Sequence, residues 1–147
     1  MDSHELAARV GASLFALDRA SKDLLQMELV CCEPGRAVMR MEVREPMLNG
    51  HQICHGGLIF AFADSTFAFA CNSRNQASVA AGASIEFLQP AQLGDVLSCE
   101  GVEQALQGRH GIYDMKVSNQ RGEVVAMFRG KSAQLGTQIS AQIPGSV

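Results

Sequence analysis

The longest run of mainly apolar positions extends from His55 to Asn72. Its alanine content and length predict one helix with apolar residues on nearly every side, and such a helix is normally buried at the centre of something. Upstream, Leu6, Val10, Leu14 and Leu17 recur at helical spacing. They predict a helix over about 3–20, with Ser3 as its N-cap. Segments 24–32 and 36–43 interleave polar and apolar positions, the pattern of a half-buried antiparallel pair turning at Glu33, Pro34 and Gly35. Strand-like pattern returns at 78–88, 96–106, 112–119 and 123–134. The breaks at 89–94, 107–111 and 119–122 are of the short kind that joins antiparallel hairpins. Residues after 137 are polar with Gly and Pro, so a flexible tail is expected over about 137–147.

The predicted order is helix, two strands, a long apolar helix over about 55–73, then four strands. A chain of 147 residues fits a single domain, 1–147. An apolar helix needs a surface over several of its faces, and a curved antiparallel sheet wrapped around it is the simple solution. The expected class is therefore α+β, in the hot-dog arrangement.

Composition narrows the function. A hydrophobic share of 47% supports a core without disulfides or a structural metal. A net charge of -3 argues against a general nucleic-acid binder, which needs a basic face to displace counterions. The five cysteines (Cys31, Cys32, Cys54, Cys71 and Cys99) are odd in number and form no Cys-x-x-Cys pair. That is the pattern of reduced thiols, and a cytoplasmic location is expected. The N-terminus carries acids and no basic-then-apolar leader. The low-charge stretch 46–72 holds Asp64 at its middle, so it does not read as a membrane span.

The segment from Met47 to Gly57, with Asn49, His51, His55 and Gly56 in it, is followed at helical spacing by Ala63 and Asp64. Supporting segments are 69–73, 85–90, Gly94-Asp95, 111–114 and 128–132. On these residues the chain, from about 47 to 136, resembles the PaaI group of hot-dog thioesterases, associated with phenylacetate degradation. The resemblance implies hydrolysis of aryl- or arylacetyl-CoA (phenylacetyl-CoA or a ring-hydroxylated relative). It also implies Gly56 as the oxyanion N–H and assembly as a dimer or homotetramer. No cofactor is expected, since coenzyme A belongs to the substrate. A related thioesterase pattern carries a serine on the strand after the helix. Ala80 stands there in this chain, and that role is not carried over.

The residues themselves support such chemistry. Asp64 is the only carboxylate between Glu45 and Glu86, with no Lys or Arg within two helical turns. A buried unpaired carboxylate is costly, so Asp64 is either functional, at a helix surface, or satisfied by Ser65, Thr66 or a strand. Gly56 and Gly57 leave the first N–H groups of the helix uncovered. Such donors, with the helix dipole behind them, hold a developing oxyanion; two glycines can equally serve only a tight turn. Asn49 could orient water or brace the carboxylate, or merely shape the turn before Gly50. Asp64 would act as general base or as nucleophile.

Gly57 and Asp64 are separated by about 10 Å of helix rise, poorly matched to one reacting carbonyl. Two helices antiparallel across a two-fold axis would bring one chain's acid to the other's glycines, so a homodimer is the expected catalytic unit. His55 and Gly57 are candidate substrate-binding residues. Arg129 and Lys131, with Arg74 and Arg109, are candidates for the coenzyme A phosphates. His51 and His55 are spaced as a metal pair, but no third ligand is evident and no metal is expected. Phe60, Phe62, Phe67, Phe69, Phe87 and Tyr113 suggest an apolar acyl pocket, or core. Two other readings stay open: a hot-dog hydratase or dehydratase using His51 or His55 with Asp64, and a non-catalytic acyl-CoA binding protein.

Overall fold

The computed structural model describes residues 1–139. Helix α1 (Ser3–Leu17) is capped by Asp2, whose carboxylate accepts the Glu5 N–H at 2.8 Å. The cap is thus one residue earlier than Ser3, and the helix stops before 20. A π-helical turn over Ala20–Leu24 follows. The first strand does not start at 24, because Gln26 takes a positive φ of 52° that no strand continues through.

Strands β1 (Glu28–Glu33) and β2 (Arg36–Glu42) pair antiparallel around Pro34-Gly35, where Gly35 takes a φ of 72°. After a loop come α2 (Gly56–Asn72), β3 (Gln76–Phe87), β4 (Val96–Gln107), β5 (His110–Ser118) and β6 (Val124–Gln138). The expected tail begins too early, since residues 137 and 138 continue β6. Residues 140–147 of that tail lie outside the described residues.

One antiparallel sheet results, in the order β1-β2-β4-β5-β6-β3. The turns at 107–111 and 119–122 do join hairpins, but the break at 89–94 does not. β3 crosses to the far edge and pairs with β6, from Phe87 opposite Ala126 to Gln76 opposite Gln138. The sheet curls around α2, the hot-dog α+β arrangement. Phe62, Phe67 and Phe69 of α2 are buried, in one core with Met39 and Met41 of β2, Leu97 of β4, Met115 of β5 and Phe128 of β6. The helix presses so closely that a Cβ at Gly130 would lie 2.7 Å from the Phe67 ring. α1 packs Val10 on Ala77 of β3 and on Ile139, and also lies along β1.

The expectation that α2 is buried all round holds for most of its surface. One stripe, Gly57, Ala61, Asp64 and Ala68, stays partly or fully open. β3 is bare in the same way: Val79 is 49% exposed and residues 80–84 are all exposed. Among the described residues, no helix is long and apolar enough to cross a membrane.

Candidate active site

The loop before α2 is organised by one side chain. Asn49 Oδ1 accepts the N–H groups of His51, at 2.9 Å, and Ile53, at 3.4 Å. The Asn49 N–H in turn donates to Ile53 O at 2.8 Å. Asn before Gly favours such a side-chain-closed turn. Two N–H donors demand an oxygen, so the amide orientation is fixed. Its Nδ2 makes no hydrogen bond among the described residues. Both roles considered for Asn49 are therefore compatible: it builds the turn and keeps a free donor.

α2 opens beyond His55, whose Nδ1 accepts the Gly57 N–H at 3.1 Å. The Gly57 donor, expected to be bare, is thus used by the cap, because the His55 side chain at the N-cap position carries an accepting nitrogen within reach of it. The Gly56 N–H has no partner among the described residues. An accepting Nδ1 places the proton of the neutral ring on Nε2, so exposed His55 also presents a donor. A Cβ at Gly56 would lie 3.2 Å from Phe87 Cζ, so the Phe87 ring at the end of β3 sits close over the helix start.

Asn49 and Gly56 line the same cleft, of about 330 Å³, whose apolar wall is Ile53, Cys54, Ile59, Phe87 and Leu88. Phe87 and Leu88 remain 51% and 61% exposed, so this side of the cleft is open to solvent. The positive end of the α2 dipole points into the cleft.

Asp64 lies two turns along α2, half-buried on the open stripe. No hydrogen bond or ion pair reaches its carboxylate among the described residues. The neighbours that could have satisfied it are committed elsewhere: Thr66 Oγ1 donates to Phe62 O at 3.0 Å, and Ser65 is tied to Ser21 at 3.0 Å. Burial without a partner pushes the Asp64 pKa above the usual carboxylate range. Within one chain Asp64 does not line the cleft; Gly56 is about 12 Å away along the helix axis.

The basic candidates lie elsewhere. Arg129 holds Asp114 through two bonds of 2.6 and 2.8 Å on β6 and β5, and that guanidinium keeps Asp114 below the usual carboxylate range. Lys131 is exposed on β6, opposite Gly82 and Ile112. Arg74 pairs with Glu103 at 3.3 Å, and Arg109 donates to Gln134 O. None of the four lines the cleft. Of the aromatic candidates, Phe62, Phe67, Phe69 and Tyr113 are core, and Phe60 packs on Phe128 with ring centroids 5.2 Å apart. Phe87 alone of the six lines the cleft. The aliphatic wall is not legible in the sequence, where Ile53, Ile59 and Leu88 carry the same signal as any core residue. Among the described residues, no three metal-capable side chains converge.

The model of the thioesterase superfamily matches residues 51–126. Acyl-coenzyme A thioesterase PaaI of Escherichia coli (strain K12) is 42% identical over 118 residues, covering 80% of this chain and 84% of that protein. The solved structure of the E. coli PaaI protein from the phenylacetic acid degradation operon superimposes with a TM-score of 0.84 at 38% identity, covering 90% of this chain and 98% of that one. A Streptococcus mutans UA159 protein solved bound to acetyl CoA gives a TM-score of 0.74 at 27% identity, covering 76% and 90%.

Proposed function

The chain belongs to the thioesterase superfamily, and from that membership we propose that it hydrolyses aryl- or arylacetyl-CoA, such as phenylacetyl-CoA or a ring-hydroxylated relative, to the free acid and coenzyme A. The observation that carries the reading is the half-buried, unpartnered Asp64 on the same helix whose start offers an unused N–H beside the free Asn49 amide. The named activity of the E. coli relative and the acetyl CoA held by the S. mutans relative support the substrate class.

The catalytic unit in this reading is a homodimer, with a homotetramer as the larger assembly. Bare β3 and the open stripe of α2 support a second copy as the occupant. β3 offers an uncharged edge from Gln76 to Ile85, a surface that native proteins cover. The stripe has only Gly57, Ala61 and Ala68 beside the acid, so a second α2 can approach closely. Across a two-fold axis Asp64 of one chain then faces Gly56 and Asn49 of the other.

Asp64 takes a proton from water, and the water oxygen attacks the thioester carbonyl carbon. The oxyanion is held by the Gly56 N–H and Asn49 Nδ2, each such donor being worth about 3 kcal/mol. Collapse breaks the C–S bond, and the proton on Asp64 passes to the departing thiolate. The raised Asp64 pKa suits a base, since it brings the carboxylate nearer the working pH, and it would strengthen a nucleophile equally; the isotope experiment below separates the two. Five cysteines without disulfide partners fit a reducing cytoplasm.

The test is thiol release from arylacetyl-, aryl- and straight-chain acyl-CoAs. Asp64→Asn is expected to lower kcat by about 10²–10⁴-fold. A mutant as fast as wild type would remove Asp64 from the mechanism. Single turnover in ¹⁸O-water is expected to label the product acid in the first cycle; unlabelled first product would make Asp64 the nucleophile.

A further inference from the structure

A hydrogen-bonded chain runs from the N-terminal arm to the centre of α2. The Asp18 carboxylate accepts the Ser21 N–H at 2.9 Å and the Ser21 hydroxyl at 2.8 Å, and Ser21 Oγ lies 3.0 Å from Ser65 Oγ. Ser21 has a single hydroxyl hydrogen, and the carboxylate can only accept. That hydrogen therefore goes to Asp18, and the Ser65 hydroxyl donates to Ser21. Ser21 is 1% exposed and Ser65 is half-buried, so the link is shielded from water on the Ser21 side.

Ser65 forgoes the easier local partner. A serine or threonine within a helix commonly bonds back to the carbonyl four residues earlier, and its neighbour Thr66 does so with Phe62 O. Ser65 instead reaches 44 residues back along the chain. Ser65 also immediately follows Asp64. Successive helical side chains diverge by about 100°, so the two do not bond to each other. A directional tether on one flank nevertheless fixes the roll of the helix, and with it the direction in which the adjacent acid points. α2 is anchored at its start by the His55 cap, and at its end by Asn72, which bonds both the N–H and the O of Ser78. The Ser21–Ser65 link adds a polar anchor between those two.

We propose that Asp18, Ser21 and Ser65 are positioning residues for thioester hydrolysis. The N-terminal arm, through them, holds α2 in the roll that aims Asp64 at the carbonyl site of the partner chain. The inference rests on the reading of Asp64 as the catalytic base. It also gives the arm a part in turnover that its contacts with β1 and β3 do not require.

The experiment compares Ser21→Ala, Ser65→Ala, the double variant, Ser65→Thr and Asp64→Asn. Each is assayed by steady-state thiol release with an arylacetyl-CoA, alongside its melting temperature. Misaiming by a fraction of an ångström is expected to lower kcat by about 5- to 20-fold in each alanine variant, with KM within about twofold. The double variant should be no slower than the slower single, since the chain acts as one unit. Ser65→Thr, which keeps the hydroxyl, should retain most of the wild-type kcat. Alanine variants with wild-type kcat beside an inactive Asp64→Asn would overturn the positioning role and leave the base assignment standing; so would single effects that multiply in the double variant. Full turnover by Asp64→Asn would overturn both.

Discussion

At the scale of single residues, the site depends on what each polar group has left after its structural bonds. Asn49 gives its oxygen to the loop and keeps its amide, Gly57 loses its N–H to His55, and Gly56 keeps its own. The two roles of Asn49 can be separated. Asn49→Asp retains an oxygen for the His51 and Ile53 N–H groups but has no amide donor. It is expected to lower kcat about 10²-fold with little change in melting temperature. Asn49→Ala removes the acceptor as well and is expected to add a loss of stability of about 1 kcal/mol. Equal kcat for Asn49→Asp and wild type would take Asn49 out of the oxyanion site. Asn49, Gly56 and Asp64 stand out in the sequence because each breaks a local pattern: Asn before Gly, glycine at a helix start, an acid in an oily helix. The cleft wall does not stand out, since an aliphatic residue in a cleft and one in a core look alike until the chain is folded.

At the scale of elements, β3 and α2 share one circumstance. The ends of β3 are tied to the ends of α2, Phe87 on Gly56 and Ser78 on Asn72. Each presents an apolar or small-residue surface that its own chain leaves open. A charge placed there should be tolerated by the fold and resisted by the assembly. Ala83→Lys, on an exposed position of β3, is expected to yield a folded species near the 15.7 kDa of one chain with thiol release lowered at least about 10²-fold. Light scattering with circular dichroism checks the mass and the fold together. A folded monomer with full activity would end the shared-site mechanism. The strand types were legible because alternation and turn residues are local. That β3 leaves its successor and crosses to β6 was not, because pairing partners are chosen by the helix they must jointly cover.

At the scale of the whole molecule, the proposed base role of Asp64 pulls against stability. Its pKa is raised in the folded state, so folding binds its proton more tightly than the unfolded chain does. The associated stability is fully present below the unfolded pKa, and is lost as pH rises through that value and the higher folded one. Asp64→Asn has no charge to bury. At neutral pH and fixed protein concentration it is expected to melt above wild type. The gain should vanish in acid, below the ordinary carboxylate range, where Asp64 is itself neutral. A variant that melts lower than wild type at neutral pH would mean that the carboxylate is stabilised by a partner in the assembled protein.

By itself the amino-acid sequence determined the element types, the single oily helix at the centre, and the loop and acid proposed to carry the chemistry. These follow from periodicity, from glycine and asparagine at chain reversals, and from one charge with no neighbour. Only the tertiary structure decided the strand order, the closing of Phe87 over Gly56, the capture of the Gly57 donor by His55, the pairing of Arg129 with Asp114, and the tie from Ser21 to Ser65. All but the His55 cap join groups far apart in the chain, brought together when the strands pair and the sheet closes on α2; the cap is local, and only the folded geometry of the helix start shows that His55 takes that donor. A pattern read along one dimension specifies which way a side chain faces, but the identity of what it meets there is set when the sheet closes on the helix.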